Sequence, residues 1–596
     1  MNDKAIELGN KLWDIACKLL RGNMKAGDFQ DYMLSFLFLR YISEQYEILA
    51  IKELGNDYIK SKEKLEEIAK NKSQEKVIEN YKNIIEQFIN KKIDEYIQSH
   101  PTVKKEDIKN NKEYEIYREL LYSKNLTPLT LWFVENIEDI QLFEKQMRKK
   151  HHYIIKPQYL WSNLYTMALD QNDKLLSLLY NGFKYIEDES FNDTFHGLFS
   201  EVHLDSDKLG KNHKARNEMI CNIISEIGKG LLEFTKDTDL LGDAYEILIS
   251  KFASNSGAKA GEFYTPQQVS TILSEIVILD SQNPNNGKKN IIKKLLDFTC
   301  GSGSLLVNVI KHMEVDNGII KQVYGQEKNI TTYNLARMNM LLHKVKDNQF
   351  EIFHGDTLKN EWGIFSDINP ANKIECDAIV ANPPFSLQWE HQTKYKEDFR
   401  FKDYGLAPQS TADFAFLLHG FHYLSKDGTM AIVLPHGILY RGGAEYNIRH
   451  KLIEDGNIDA IIGLPAKLFY STGIPVCIVV LKKCKSKNNI LFINANKEYV
   501  KGRGQNELSN ENVKKIVDTY RERKNIDNFS RTVEIDEIKN NDYNLNVSRY
   551  VSTAEEDKVI NLESVTKELV NIENKIKEAR EEHNKYLKEL GLELLP

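Results

Sequence analysis

From the N-terminus to about residue 240, apolar positions recur at three- and four-residue steps: Leu8, Leu12, Ile15 and Leu19, then Leu34, Leu37, Phe38 and Tyr41. That period puts one apolar stripe on each helix and predicts a mostly helical region over 1–240. The stretch 52–125 is rich in Lys, Glu, Ile and Asn and holds one proline, Pro101. It reads as long helices with solvated, charged faces, in the manner of an insertion. The texture changes near 255, where Gly257, Gly261 and Pro266 cluster. Short apolar runs then predict strands at Leu295–Thr299, Gln322–Gln326, Phe350–His354, Asp377–Ala381, Thr429–Leu434, Ala460–Leu464, Val476–Lys482 and Ile490–Asn494. Helical patterns at Leu305–Met313, Thr331–His343, Asp413–Leu424 and Ala444–Glu454 alternate with them. Such alternation predicts a parallel sheet covered on both faces, here over 241–500. Only Cys484–Asn489 separates the last two runs, which is too short for a parallel crossover, so they are expected to form an antiparallel hairpin. Lys501-Gly-Arg-Gly-Gln505 reads as a linker opening a last region, 501–596.

That region ends on Leu562, Val565, Leu569, Ile572, Ile576, Ala579, His583, Tyr586 and Leu590, an alternating 3-4 spacing. It is a heptad seam over about four repeats. Two outcomes stay open: an amphipathic helix docked on its own domain, or one that pairs with another chain. No repeat of solenoid period is present.

The balance of 41% hydrophobic and 28% charged residues in 596 excludes a disordered chain. The six cysteines form no CxxC pair, which argues against a zinc ribbon or disulfide scaffold and fits a reducing compartment. Apolar runs such as Ile474–Leu481 are far short of the roughly 18–20 residues of a membrane span, and the N-terminus lacks a signal-peptide layout. A soluble, cytoplasmic protein is expected. The net charge of −7 excludes a uniformly basic coat for nucleic acid but not a basic groove.

Four short segments carry the chemistry. Asp297-Phe-Thr-Cys-Gly301-Ser-Gly303 follows one expected strand and precedes a helix, where glycines let a ligand approach the backbone and the helix start offers free amides. The dinucleotide pattern GxGxxG is not completed, because position 306 is Leu. Glu327 ends the second strand, where a carboxylate can accept both hydroxyls of a ribose. Asp356 follows the third strand, where it can accept from an adenine amino group. Acidic groups at three successive strand ends describe a crevice suited to an adenosine-containing cofactor. Last comes Asn382-Pro383-Pro384-Phe385 after the fourth strand. Two prolines stiffen the turn and remove two donors, leaving the Asn382 oxygen and nearby carbonyls as acceptors beside an aromatic face. Such a turn can hold a planar, amino-bearing base and draw its amine protons out of conjugation, freeing the nitrogen lone pair to attack an electrophilic methyl group.

Residues 262–385 resemble the S-adenosylmethionine-dependent amino-group DNA methyltransferases of Rossmann-like, seven-stranded α/β fold. Glu262-Phe-Tyr264-Thr265-Pro266 resembles the segment that closes over the methionine end of the cofactor. Asp297–Gly303 resembles the glycine-rich cofactor motif, with Phe298 where proline is frequent, and Asn382–Phe385 resembles the NPPF tetrapeptide of adenine methyltransferases. The order of the motifs is that of the gamma group. Leu12-Trp-Asp-Ile, Leu20-Arg-Gly22-Asn, Phe38-Leu-Arg40-Tyr, Asp243-Ala-Tyr245-Glu246, Ala412-Asp413-Phe-Ala, Leu434-Pro-His-Gly437, Gly463-Leu-Pro465 and Gly473-Ile-Pro475, with Phe469, extend the resemblance to the modification subunits of type I restriction–modification systems.

The resemblance implies transfer of a methyl group from S-adenosylmethionine to the N6 of a flipped adenine in duplex DNA. It implies catalysis by Asn382, Pro383, Pro384 and Phe385, with Phe469 on the other face of the base or in the core. It implies cofactor binding by Tyr264, Thr265, Pro266, Asp297, Thr299, Gly301, Ser302, Gly303, Glu327, Asp356, Thr357 and Asn382. No metal is implied, and His419 and His436 are expected to be structural. The implied partners are double-stranded DNA, a specificity subunit that reads the site, a second copy of the modification subunit, and a restriction subunit that can join them. The heptad tail is a contact for the specificity subunit in this picture. Lys394, Lys396, Arg400 and Lys402 are the basic run expected to meet DNA, whereas Lys208, Lys211, Lys214 and Arg216 read as a solvated loop. Two rivals remain: a methyltransferase acting on a protein glutamine or an RNA base, whose planar amine the tetrapeptide would also suit, and a non-catalytic scaffold.

Overall fold

Helices Asp3–Leu20 and Ala26–Leu54 bury the positions their spacing singles out, with Leu8, Leu12, Leu34, Leu37 and Phe38 at most 1% exposed. The computed structural model describes residues 3–596 except 21–25, 71–73, 109–110, 124, 191–193, 232–237, 256–263, 367–373, 391–392, 470–472, 486–487, 503 and 553–561. Gly22, Gly257, Gly261, Glu262 and Phe263 of the motifs above lie outside the described residues. The 52–125 stretch is helical, as expected, over Asn56–Lys70 and Gln74–Ser99. Its helices are not wholly solvated: Tyr81, Ile85, Phe88, Ile89 and Ile93 form one buried stripe that joins the N-terminal core.

The strands are β1 (Ile291–Asp297), β2 (Ile319–Glu327), β3 (Phe350–His354), β4 (Cys376–Ala381), β5 (Leu424–Pro435), β6 (Ile458–Gly463), β7 (Val476–Lys482), β8 (Asn489–Asn494), β9 (Val500–Lys501), β10 (Asn506–Glu507) and β11 (Ser530–Glu534). Nine of them make one sheet in the order β11-β8-β6-β7-β5-β4-β1-β2-β3, and β9 pairs with β10 apart from it. The pairs among β5, β4, β1, β2 and β3 are parallel. Alternate side chains divide between two cores: Ala378 and Val380 of β4 face one, Ile379 and Ala381 the other.

The expected hairpin of β7 with β8 does not form. β7 slots between β5 and β6, antiparallel to both, and β8 lands beyond β6 and parallel to it. All seven residues of β7 are buried, so two flanking ladders satisfy a strand that a hairpin at the edge would leave half paired. Skipping one strand spans about 10 Å, and even a six-residue connection reaches about twice that.

The expected break at 501 lies later. Helix Asn510–Glu522 buries Val513, Ile516, Val517 and Tyr520 against the sheet, and β11 pairs with β8, so the first compact unit runs to Val551. All eight expected strands enter the sheet, and β11, which was not expected, brings it to nine. The second unit, Ser552–Pro596, is built on helix Leu562–Glu589, none of whose residues is buried.

Helix Ile330–Leu342 joins the helical front to the sheet. Leu335, Met338 and Leu342 belong to the N-terminal core, while Ala336 and Met340 pack on the sheet side. A helix apolar on opposite faces is one buried between two layers.

Candidate active site

In the order β4-β1-β2-β3 the strand sequence reverses at β1, the place where open α/β sheets form a ligand crevice beyond their carboxyl ends. Register brings the four segments together: Leu296 lies beside Ile379, Asp297 beside Gly325, and Glu327 beside His354.

The glycine turn is held from three sides. Gly301 and Gly303 have φ of 55° and 77°, and a Cβ at Gly303 would stand 3.1 Å from Met340 Cε and 3.3 Å from Ala336 Cα. The Thr299 amide donates to Asp297 Oδ1 at 3.0 Å and the Cys300 amide to the Gln326 carbonyl at 2.9 Å. Glu327 accepts the Gly301 amide on Oε2 at 3.0 Å and the Asn329 amide on Oε1 at 2.8 Å. Burial pushes the Asp297 carboxyl up to about 8, with the neighbouring Glu327 adding to the rise, and burial also raises Glu327.

The third support is absent from the candidate residues above. Asn339 Nδ2 donates to the Ser302 carbonyl at 3.0 Å and also to Glu246, a buried carboxylate on helix Thr238–Asn255. The helical front thereby grips the cofactor-type turn. The available signal was an asparagine inside the apolar run Leu335–Leu342, since a buried polar side chain demands a partner.

Asp356 caps the short turn Thr357–Lys359 by accepting from the Leu358 amide at 3.0 Å, and its Oδ2 lies 2.9 Å from Lys328 Nζ. Thr357 Oγ1 donates to the Phe298 carbonyl at 2.6 Å, which ties the third strand end to the first. Phe298 sits against His419, and a Cβ at Gly420 would fall 2.5 Å from its ring. Helix Asp413–Tyr423 thus accommodates the phenylalanine that replaces the frequent proline.

Asn382 follows β4 directly, and its Nδ2 donates to Thr265 Oγ1 at 3.0 Å across 117 residues. Its Oδ1 is buried with no hydrogen-bond partner among the described residues. Thr265 stands between Tyr264, which is buried, and Pro266, which precedes helix Gln267–Val277. Pro383 is buried and Pro384 half-buried, and the Phe385 ring meets Phe469 edge to face at 5.6 Å. Phe469, 4% exposed, is thus both a core residue and the wall behind Phe385. A partnerless buried acceptor beside a half-exposed ring can hold a flat, amino-bearing ligand.

Arg400 is not free for a phosphate: it is 3% exposed, paired with Asp398 at 2.7 Å, and donates to the Thr357 and Leu358 carbonyls. Lys396 and Lys402 are exposed, and the Lys394 side chain lies outside the described residues. Lys208, Lys211 and Lys214 are exposed, and Arg216 pairs with Asp207 at 2.6 Å. His419 Nδ1 accepts from Arg400 Nη1 at 3.0 Å and is buried, and His436 Nε2 lies 3.0 Å from the Val476 carbonyl, so both serve packing. Among the described residues no helix is long and apolar enough to cross a membrane, and no His/Cys/Asp/Glu group is placed to hold a metal.

Two family models match: N-6 DNA Methylase over residues 236–559 and HsdM N-terminal domain over 8–130 and 102–227. The MpnII methylase subunit of a type I restriction enzyme from Mycoplasma pneumoniae is 33% identical over 96% of this chain and 94% of its own. The MjaVIII methylase subunit from Methanocaldococcus jannaschii is 37% identical over 59% of this chain and 60% of its own length. The crystal structure of the type I restriction–modification methyltransferase subunit from Streptococcus thermophilus superposes with a TM-score of 0.72 at 32% identity, over 92% of this chain and 100% of that one. The chain belongs to the methylase subunits of type I restriction enzymes, a family of adenine-N6 DNA methyltransferases.

Proposed function

We propose that this chain methylates the exocyclic N6 of adenine in one double-stranded DNA sequence, using S-adenosylmethionine, as the modification subunit of a complex with a specificity subunit and a second copy of itself. A restriction subunit can join that complex. The observation that carries the reading is the buried, partnerless Asn382 Oδ1, fixed by its own amide on Thr265 at the mouth of the crevice.

The residues fit the cofactor. Gly301 and Gly303 open the backbone of the turn, the start of helix Ser304–Glu314 faces an incoming acid group, and Asp297 and Glu327 offer carboxylates to a cation and to ribose hydroxyls. Tyr264, Thr265 and Pro266 would cover the neighbouring wall, and Thr299, Ser302, Asp356 and Thr357 would contribute the rest of the cofactor site. S-adenosylmethionine supplies an electrophilic methyl group on a sulfonium. Asn382 Oδ1 and the carbonyls of Pro383 and Pro384 accept the two amine protons of a flipped adenine. Phe385 stacks on the base, which offsets part of the few kcal/mol lost on unstacking it. With its lone pair drawn out of the ring, the amine nitrogen would take the methyl group from the sulfonium, whose sulfur would leave as a neutral thioether, and the surplus amine proton would pass to solvent.

The test is transfer of labelled methyl from the cofactor to plasmid DNA, with and without the co-encoded specificity protein. Label on adenine that requires the specificity protein is expected. Label on protein or RNA instead would move the reading to the first rival, and none at all to the scaffold.

The tail has its own part in this reading. Leu562, Val565, Leu569, Ile572 and Ile576 are all exposed along one helix, and the first compact unit ends at Val551. A chain ending at residue 555 is expected to keep cofactor affinity and lose co-purification with the specificity protein. Unchanged co-purification would remove the tail from the assembly.

A further inference from the structure

The turn after the tetrapeptide is strained, and the backbone hydrogen bonds described for it come from one segment. Ser386 has φ of 55°, in the left-handed region that a non-glycine residue rarely adopts. Such a conformation persists only where contacts over-determine it. Those contacts come from 408–413. Asp413 Oδ1 accepts the Ser386 amide at 2.8 Å, and the Ala412 amide donates to the Leu387 carbonyl at 2.8 Å. The Trp389 amide donates to the Gln409 carbonyl at 3.1 Å.

Asp413 is 1% exposed and opens helix Asp413–Tyr423, whose N-terminal dipole favours its negative charge. Its second oxygen faces Arg441 Nη1 at 3.4 Å, and the same nitrogen stands 3.5 Å from Glu445. The arginine occupies space that only glycine leaves open: a Cβ at Gly437 would fall 2.4 Å from its guanidinium carbon. Arg441 itself is 37% exposed, so it meets solvent while its charge meets a buried carboxylate.

We propose that Asp413, backed by Arg441, is the positioning residue of the methylation turn: by holding the Ser386 amide it sets where the Asn382 oxygen and the Phe385 ring stand. The inference rests on the reading of Asn382–Phe385 as the turn that receives the target adenine. The cofactor turn at Asp297–Gly303 is held by Glu327 and Asn339 instead. Loss of the Asp413 contact therefore displaces the base-holding groups and leaves the glycine-turn groups of the cofactor site in place.

The experiment compares kcat, the KM for DNA and the cofactor dissociation constant in the complex with the specificity protein, on its target duplex. Asp413→Ala is expected to lower kcat roughly 100-fold, the scale of a catalytic group displaced by about 1 Å, with cofactor affinity unchanged. Asp413→Asn keeps the acceptor for Ser386 in the same shape and is expected to recover most of the loss. Arg441→Ala, at a partly exposed position, is expected to lower kcat several-fold with the same unchanged cofactor affinity. A wild-type kcat in Asp413→Ala overturns the inference, as does a kcat loss accompanied by an equal loss of cofactor binding and no recovery in Asp413→Asn. If Asp413→Ala does not fold, a wild-type kcat in Arg441→Ala overturns it. A wild-type complex that transfers no methyl to adenine overturns the reading beneath it, a result distinct from active wild type with active variants.

Discussion

Asn382→Ala is expected to lower methyl transfer to adenine by roughly 100- to 1,000-fold, the effect of deleting one preorganised polar group from an enclosed site. The wild-type oxygen is already desolvated and waits without a partner, so binding an amine there costs no reorganisation. Alanine removes that acceptor and also the amide that Thr265 receives at 3.0 Å. Nothing in the glycine turn depends on Asn382: its supports are Asp297, Glu327 and Asn339. Single-turnover transfer should therefore fall while equilibrium binding of S-adenosylmethionine changes by little more than the loss of the Thr265 contact. Activity that survives the substitution refutes the proposed chemistry.

Asp459→Asn is expected to cost about 3–5 kcal/mol of stability, the usual result of removing one partner from a buried ion pair. Asp459 lies on β6 at a register shift and is 4% exposed. It faces Lys482 of β7 at 3.1 Å, Arg523 at 2.8 Å, and accepts the Tyr520 hydroxyl at 2.9 Å. Burial alone would raise its carboxyl, but the Lys482 and Arg523 charges outweigh burial and hold it at about 2. Lys482 is itself 3% exposed, so the variant leaves a buried cation with no counter-charge. Urea unfolding of the first unit, followed by tryptophan fluorescence, measures the loss; an unchanged midpoint would show that the cluster contributes nothing. The pH dependence has a definite sign. The folded value lies below the unfolded one of about 3.9, so the stabilisation is complete above that pH and disappears as pH falls through about 2. The wild type should lose this advantage over Asp459→Asn in that acid window.

The same cluster explains why the first compact unit continues past the polar stretch Lys501–Gln505 to Val551. Arg523 and Tyr520 belong to or follow helix Asn510–Glu522, and their partner stands about sixty residues earlier on another strand. Local composition there is polar because one face of the helix is solvated, and the apolar face shows only as Val513, Ile516, Val517 and Tyr520. The β7–β8 hairpin failed for a related reason. Connection length limits which strands can pair, but it does not say that β6 already occupies the neighbouring slot. Arg400 shows the limit of charge as a guide, because a cation that follows the Asn-Pro-Pro-Phe segment in sequence serves Asp398 and two carbonyls in the interior.

What the chain alone determined is everything that local chemistry dictates. The period of apolar residues specified helices first and strands later, and the glycine, acidic and Asn-Pro-Pro-Phe segments stood where strands end. Those features depend on neighbours within a few residues, so they are written in order along the chain. Only the tertiary structure decided which atoms are spent and which are free. Asp356 and Glu327 already accept from backbone amides, whereas the Asn382 oxygen has no hydrogen-bond partner among the described residues. Glu246 with Asn339, and Asp413 with Ser386, met across 93 and 27 residues. Hydrogen bonds over such separations depend on the packing of whole layers, and no short stretch of sequence contains both partners.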